Sequence, residues 1–312
     1  AYELTCRDWS LDVCSSDLAS SIAKKINISA IVIGLTIVAF GTSSPELIVN
    51  IFASASGNPD IAIGNILGSN IANILLILGL SSIIYPLVVK RNTVWKEIPL
   101  SLLAAVILGV MANDALIDGE GFSGLTRIDG IVLLAFFIIF LYYTFDIAKI
   151  SGESGYTDIR QFSYLKSSLY IIVGMVGLTL GGKWIVDGAV KIAELFNVSQ
   201  SLIGLTIVAV GTSLPELATS AIAAYRKQTD IAIGNAVGSN IFNIFWILGI
   251  SSIIRPLPFN PYSEVDIIMT IFASLLLFSI MFIGKKHTME RWQGILMILI
   301  YIGYIVFLIS TK

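Results

Sequence analysis

The sequence predicts an all-α polytopic membrane protein made of two inverted-topology repeats of five transmembrane helices, the first helix truncated or replaced. Three observations predict it. Of the 312 residues, 56% are hydrophobic and 13% charged, a balance that would coat a water-soluble domain with apolar area, so the surrounding solvent must be lipid. Slid along itself by 170 positions, the chain lays residues 27–87 on 197–257 without a gap, and 37 of the 61 pairs are identical; a unit has been duplicated. Nine apolar stretches have the length needed to cross a hydrocarbon layer of about 30 Å, and restoring one lost span gives five per unit. Five is odd, so the two copies enter the bilayer in opposite senses.

Taken in order, residues 1–18 (AYELTCRDWSLDVCSSDL) carry Glu3, Arg7, Asp8, Asp12 and Asp17, more charge than a bilayer segment tolerates. They also lack the charged, apolar and cleavage regions of a signal peptide. They read as a foreign leader or assembly scar standing in for most of a first span, with a genuine extramembrane tail as the alternative. The repeat register holds from Ala19, where ASSIAKKIN faces AVKIAELFN. Repeat 1 therefore covers 19–147, with spans near 28–55, 61–85, 98–113 and 128–147. The polar stretch at 148–166, rich in Gly, Ser and both charge signs, reads as a linker. Repeat 2 covers 167–312, with spans near 167–193, 200–224, 230–254, 264–284 and 291–310. The only cysteines, Cys6 and Cys14, support neither a disulfide framework nor a zinc site.

Charge sorts the loops. One face carries thirteen cations, from Lys24, Lys25, Lys90, Arg91 and Lys96 to Lys285, Lys286 and Arg291, and the other carries four, Arg127, Lys191, Arg255 and Lys312. The positive-inside rule then puts the 148–166 linker in the cytoplasm and the acidic loop 113–129 outside. With a net charge of -2 and no large basic cluster, nucleic-acid binding is excluded.

The chemistry lies in two duplicated motifs. GTSSPE at 41–46 returns as GTSLPE at 211–216. A proline inside an apolar run has no N–H and its ring clashes with the carbonyl four residues back, so the helix opens at Pro45 and Pro215 and frees backbone oxygens. Bare carbonyls at membrane depth survive only when buried in protein or lining a cavity. Glu46 and Glu216 add charge there, and a buried intramembrane carboxylate is functional by default. With the hydroxyls of Thr42, Ser43, Thr212 and Ser213 they form a hard, all-oxygen donor set suited to Ca²⁺ or Na⁺, without thiolate or imidazole for softer metals.

The next spans carry GNILGSNIAN and GNAVGSNIFN. Asn65, Ser69 and Asn73 lie four residues apart and make one polar stripe, as do Asn235, Ser239 and Asn243. Gly64, Gly68, Gly234 and Gly238 permit close helix approach. Ser69, Asn73, Ser239 and Asn243 are expected at the site, whereas for Asn65 and Asn235 a ligand role and a helix-bridging role weigh equally. Asp60 and Asp230 are read as helix N-caps, His287 as a solvated loop residue, and Lys183 with Asp187 as an i, i+4 ion pair.

Paired GTSxPE and GNxxGSNxxN motifs at this spacing resemble the cation/calcium antiporter superfamily, in particular the sodium/calcium exchanger family and its prokaryotic members. The resemblance implies ten helices in two inverted five-helix repeats, four clustered cation sites at mid-membrane, and first and sixth helices that slide. Carried over by motif, the ligands are Glu46 and Glu216, the backbone oxygens of Ala39, Thr42, Ala209 and Thr212, the hydroxyls of Ser43 and Ser213, and Ser69, Ser239, Asn73 and Asn243. Some exchangers have aspartate where this chain has Asn243, so a third carboxylate is missing here. The expected function is Na⁺/Ca²⁺ antiport by alternating access, with a Ca²⁺/H⁺ exchanger as the alternative. Ca²⁺ and Na⁺ are cargo and no resident cofactor is expected. An intramembrane enzyme would need a second catalytic group, and neither HExxH nor an asymmetric carboxylate pair is present. The expected location is a prokaryotic plasma membrane; oligomeric state is not legible.

Overall fold

The computed structural model describes residues 29–117, 119, 123–150, 177, 180, 184, 191, 204–260 and 263–311. The leader at 1–18, most of the linker, most of the 167–193 span and the Lys183–Asp187 pair lie outside the described residues. Among the described residues five helices are long and apolar enough to cross a membrane. They are Pro59–Ile84, Arg91–Met111, Arg127–Asp146, Thr229–Ile254 and Arg291–Thr311. Two further helix pairs, Ala30–Thr42 with Ser44–Ser56 and Leu205–Thr212 with Leu214–Tyr225, are bent by 46° and 52° and serve as broken spans. Helix Glu264–Ile280 packs along Arg91–Met111.

The bends fall at the GTSxPE motifs, and their cause is local. Pro45 sits at the second position of Ser44–Ser56 and offers no N–H to the turn before it, so the ladder breaks there. Ser43 leaves the helical region, with ψ near 6°, and Ser213 repeats this with ψ near 7°. Wide π-turns flank the motifs symmetrically at Gly34–Val38 and Gly204–Val208, and again at Asn73–Leu78 and Phe242–Leu248. Such turns concentrate at functional sites because widening the ladder redirects carbonyls and side chains.

The inversion is visible in two short antiparallel ladders. β1 (Leu87–Val88) pairs with β4 (Thr288–Met289), and β2 (Gly124–Leu125) pairs with β3 (Leu257–Pro258). The loop after Pro59–Ile84 is thus tied to one face, and its repeat counterpart after Thr229–Ile254 is tied to the other. The β1–β4 ladder brings the lysine-rich segments 90–96 and 285–286 to the same face.

Packing between the copies depends on glycine. A Cβ on Gly68 would collide with Leu205 O, and one on Gly238 would sit 2.9 Å from Leu35 O and from the Ala39 Cβ. Gly34 and Gly234 meet face to face, a Cβ on either lying 3.1 Å from the other's Cα. Backbones this close gain dispersion energy where lipid offers no hydrophobic drive. The C-terminus of the first broken span is left-handed at Gly57, φ 76°, and the same position in the second repeat is Lys227, φ 61°. A side chain at Gly57 would strike the Arg255 guanidinium, whereas Lys227 Nζ lies 5.8 Å from the Tyr85 ring centre. Tyr85 and Arg255 are themselves repeat equivalents, so each copy fills the same corner with a cation from a different helix.

Three expectations are corrected. Asp60 and Asp230 are not N-caps: Asn58 and Gln228 hold those positions without a side-chain cap bond, and the aspartates lie in the first turn. There they face the positive end of the helix dipole, and Asp230 also pairs with Lys90 at 2.8 Å. The 98–113 span begins earlier, at Arg91, and the 264–284 span stops at Ile280. Polar residues Arg91, Lys96 and Glu97 hid the first turns from a hydropathy reading. His287 is partly buried in a left-handed conformation, φ 56°, not freely solvated.

Candidate cation site

The two GTSxPE bends and the two GSN helices converge on one buried cluster. Glu46 and Glu216 are both 0% exposed. One oxygen of each is anchored across the repeat boundary: Ser213 Oγ donates to Glu46 Oε1 at 3.2 Å, and Ser43 Oγ donates to Glu216 Oε1 at 3.1 Å. Within each repeat the GSN serine reaches the same oxygen, Ser69 to Glu46 at 3.4 Å and Ser239 to Glu216 at 3.3 Å. The threonines point at the opposite GSN helix, Thr42 Oγ1 donating to Asn235 Oδ1 at 3.0 Å and Thr212 Oγ1 to Asn65 Oδ1 at 3.1 Å. Each of these contacts recurs between the residues 170 positions away in the other repeat, which is the two-fold relation written in hydrogen bonds.

The carbonyls at the bends join the cluster. Ala209 O accepts from Ser69 Oγ at 3.4 Å and from Thr212 Oγ1 at 3.2 Å, and Ala39 O accepts from Thr42 Oγ1 at 3.4 Å. Asn65 and Asn235 thus bridge helices by accepting from the threonines, and Asn235 also donates to Ser220 Oγ at 2.9 Å and to Glu216 O at 3.3 Å.

Asn70 and Asn240 are the residues that the motif reading passed over. Asn73 Nδ2 donates to Asn240 Oδ1 and Asn243 Nδ2 to Asn70 Oδ1, both at 2.9 Å. Asn240 Nδ2 in turn donates to Asn70 O at 3.2 Å, and Asn70 Nδ2 to Asn240 O at 3.4 Å. This quartet locks the amides of Asn73 and Asn243 by their nitrogens and leaves their oxygens free. The signal in the sequence was an amide repeated in both copies, next to Ser69 or Ser239 and three residues before Asn73 or Asn243.

Four buried oxygens in this cluster have no donor: Glu46 Oε2, Glu216 Oε2, Asn73 Oδ1 and Asn243 Oδ1. Buried acceptors are normally satisfied, and a desolvated carboxylate oxygen without a partner is among the costliest groups in a fold. A set of acceptors arranged without donors matches a cation. Among the described residues no group of three or more His, Cys, Asp or Glu side chains could hold a metal, so the formal charge of the cluster comes from two glutamates alone.

Comparison with known proteins identifies the family. The family model described as sodium/calcium exchanger protein matches residues 11–145 and 166–310. The chain is 37% identical over 303 residues to the putative antiporter CaxA of Alkalimonas amylolytica, covering 94% of this chain and 92% of that protein. It is 31% identical over 326 residues to sodium/calcium exchanger MaX1 of Methanosarcina acetivorans, covering 93% and 92%. The solved structure of the sodium-calcium exchanger NCX_Mj, soaked with Na⁺ and Sr²⁺, superposes with a TM-score of 0.77 at 38% identity, covering 95% of this chain and 94% of that one. Duplicated motifs, inverted repeats and end-to-end similarity converge: the chain belongs to the sodium/calcium exchanger family, a family of polytopic membrane transporters and not enzymes.

Proposed function

We propose that the chain exchanges Na⁺ for Ca²⁺ as a secondary antiporter, by alternating access to a mid-membrane site. The observation that carries this reading is the set of four donorless buried oxygens, two from carboxylates and two from amides. In the proposed site Glu46 and Glu216 neutralise the ion. The carbonyls of Ala39, Thr42, Ala209 and Thr212 and the hydroxyls of Ser43, Ser213, Ser69 and Ser239 complete its shell with Asn73 and Asn243. Oxygen ligands of this kind suit Ca²⁺, which accepts six to eight at about 2.3–2.6 Å, and tolerate Na⁺. The broken spans supply the moving parts, because a bend closed by hydroxyl contacts can re-form differently when its cation changes. The names of MaX1 and NCX_Mj support Na⁺ as the coupling ion. We place the protein in a prokaryotic plasma membrane with the lysine-rich face and the 148–166 linker in the cytoplasm.

Radiolabelled Ca²⁺ uptake into Na⁺-loaded proteoliposomes tests this reading against a pH gradient alone. Uptake driven by outward Na⁺ and indifferent to the pH gradient is expected. Uptake driven by the pH gradient and indifferent to Na⁺ would replace Na⁺ by H⁺ as the coupling ion.

A further inference from the structure

Away from the candidate cation cluster, the lysine-rich face is indented. A cavity of about 510 Å³ is lined by Arg91, Trp95, Phe282, Lys286 and His287. Span Arg91–Met111 begins at its rim and helix Glu264–Ile280 ends beside it, which puts it at the level of the bilayer surface. The size falls within the range of small-ligand sites.

The cations of this face are not equivalent. Lys90 is paired with Asp230 at 2.8 Å and Lys285 with Glu290 at 4.0 Å. Lys96 lies over the Tyr143 ring at 5.6 Å, and Arg291 reaches Ile84 O at 3.5 Å. Arg91 and Lys286, the two that border the cavity, have no ion-pair partner among the described residues. His287 adds a third group: its Nε2 is buried and without a hydrogen-bond partner. Its left-handed backbone is held in place, with His287 N donating to Met281 O at 2.9 Å and Val89 N donating to His287 O at 2.8 Å. A non-glycine residue in that conformation is costly and persists where the surroundings over-determine it.

The remaining wall is aromatic. Trp95 packs edge-on against Phe278 and Phe282 at 5.9 and 5.4 Å, and Phe282 against His287 at 6.2 Å. Trp95 and Phe282 are 54% and 43% exposed and adjoin the exposed Ile283, so the cavity opens toward lipid on its apolar side. Tryptophan at headgroup depth is the usual marker of that boundary.

We propose that this cavity seats the phosphate of an anionic phospholipid, with Arg91, Lys286 and His287 around the phosphate and Trp95 and Phe282 against its glycerol and upper acyl carbons. The two cations without an ion-pair partner among the described residues attract negative charge at a membrane surface. The apolar wall favours a lipid over a soluble phosphate, which has nothing to place there.

Native mass spectrometry of the full chain, incubated with equal amounts of phosphatidylglycerol and phosphatidylcholine, reads the preference directly. The parent should retain the anionic lipid in about tenfold excess, Arg91→Gln/Lys286→Gln should fall close to parity, and Lys285→Gln, whose cation is already paired, should keep the preference. Diazirine-bearing phosphatidylglycerol should crosslink in the parent to Trp95 and to the 282–287 segment, a readout that does not depend on any variant folding. Parity in the parent, an unchanged preference in the double variant, or crosslinks confined to other surfaces would each overturn the proposal. Displacement of the lipid by millimolar inorganic phosphate would overturn it too, by assigning the site to a soluble anion.

Discussion

At the scale of single residues, the two glutamates divide their oxygens between two tasks. Oε1 is held by hydroxyls from both repeats, while Oε2 has no donor. Glu46→Gln and Glu216→Gln keep an acceptor for those hydroxyls and remove the charge, so each variant should fold and reach the membrane. Each should lose Ca²⁺ transport by at least about 100-fold, because breaking a buried ion pair costs about 3–5 kcal/mol. Near-parental Ca²⁺ uptake by either variant would remove the proposed role of the carboxylates. Asn240 is a different case. It holds Asn73 by its nitrogen and touches no proposed ligand oxygen directly. Asn240→Ala should release the Asn73 amide and weaken Ca²⁺ affinity by roughly tenfold, in line with losses of outer-shell partners around metals. Asn240→Asp keeps the acceptor for Asn73 but gives up the donor to Asn70 O, so it should recover part of the affinity; parental affinity in Asn240→Ala would mean that the quartet acts only as helix packing.

At the scale of elements, proline and glycine place the ligands. Pro45→Ala returns an N–H that can bond Gly41 O, straightening the 46° bend and withdrawing carbonyls from the cluster. One such bond is worth about 1 kcal/mol, so Ca²⁺ affinity should drop roughly fivefold in equilibrium binding while the folded fraction stays unchanged. Gly238→Ala acts by collision, since its Cβ would lie 2.9 Å from Leu35 O and from Ala39 Cβ. Overpacking of this kind costs about 1–3 kcal/mol, and because Ala39 O belongs to the proposed shell, thermal stability and Ca²⁺ affinity should fall together. Gly303→Ala, where a Cβ meets nothing within 4 Å, is the matching control and should change neither. These elements were legible in advance because each has a strong local signature: proline breaks a helix and small residues at four-residue spacing mark contact. What was not legible was set by tertiary partners. Asn70 and Asn240 look like any buried amides until the opposite helix is in place, and the start of the Arg91–Met111 span was masked by charges that sit at the membrane surface.

At the scale of the whole molecule, duplication makes the site close to self-complementary, and its charge then governs how the cycle responds to voltage. The two glutamates contribute -2 when ionised, which one Ca²⁺ or two Na⁺ would balance, while the asparagines add oxygen without charge. If a third Na⁺ occupies the cluster, as the four-site arrangement implied by the family resemblance suggests, the Na⁺-loaded protein carries one excess positive charge. A cycle of three Na⁺ against one Ca²⁺ then moves one net charge in the direction of Na⁺. The membrane potential acts on that charge with about 2.3 kcal/mol per 100 mV, a roughly 50-fold shift in the equilibrium ion ratio. In Na⁺-loaded proteoliposomes taking up Ca²⁺, positive charge leaves with Na⁺, so an inside-positive potential set by K⁺ and valinomycin should accelerate uptake and an inside-negative one should slow it, relative to zero potential. Uptake that is the same at all three potentials would mean two Na⁺ per Ca²⁺, and with it a site in which the two carboxylates and their counter-ions balance throughout the cycle.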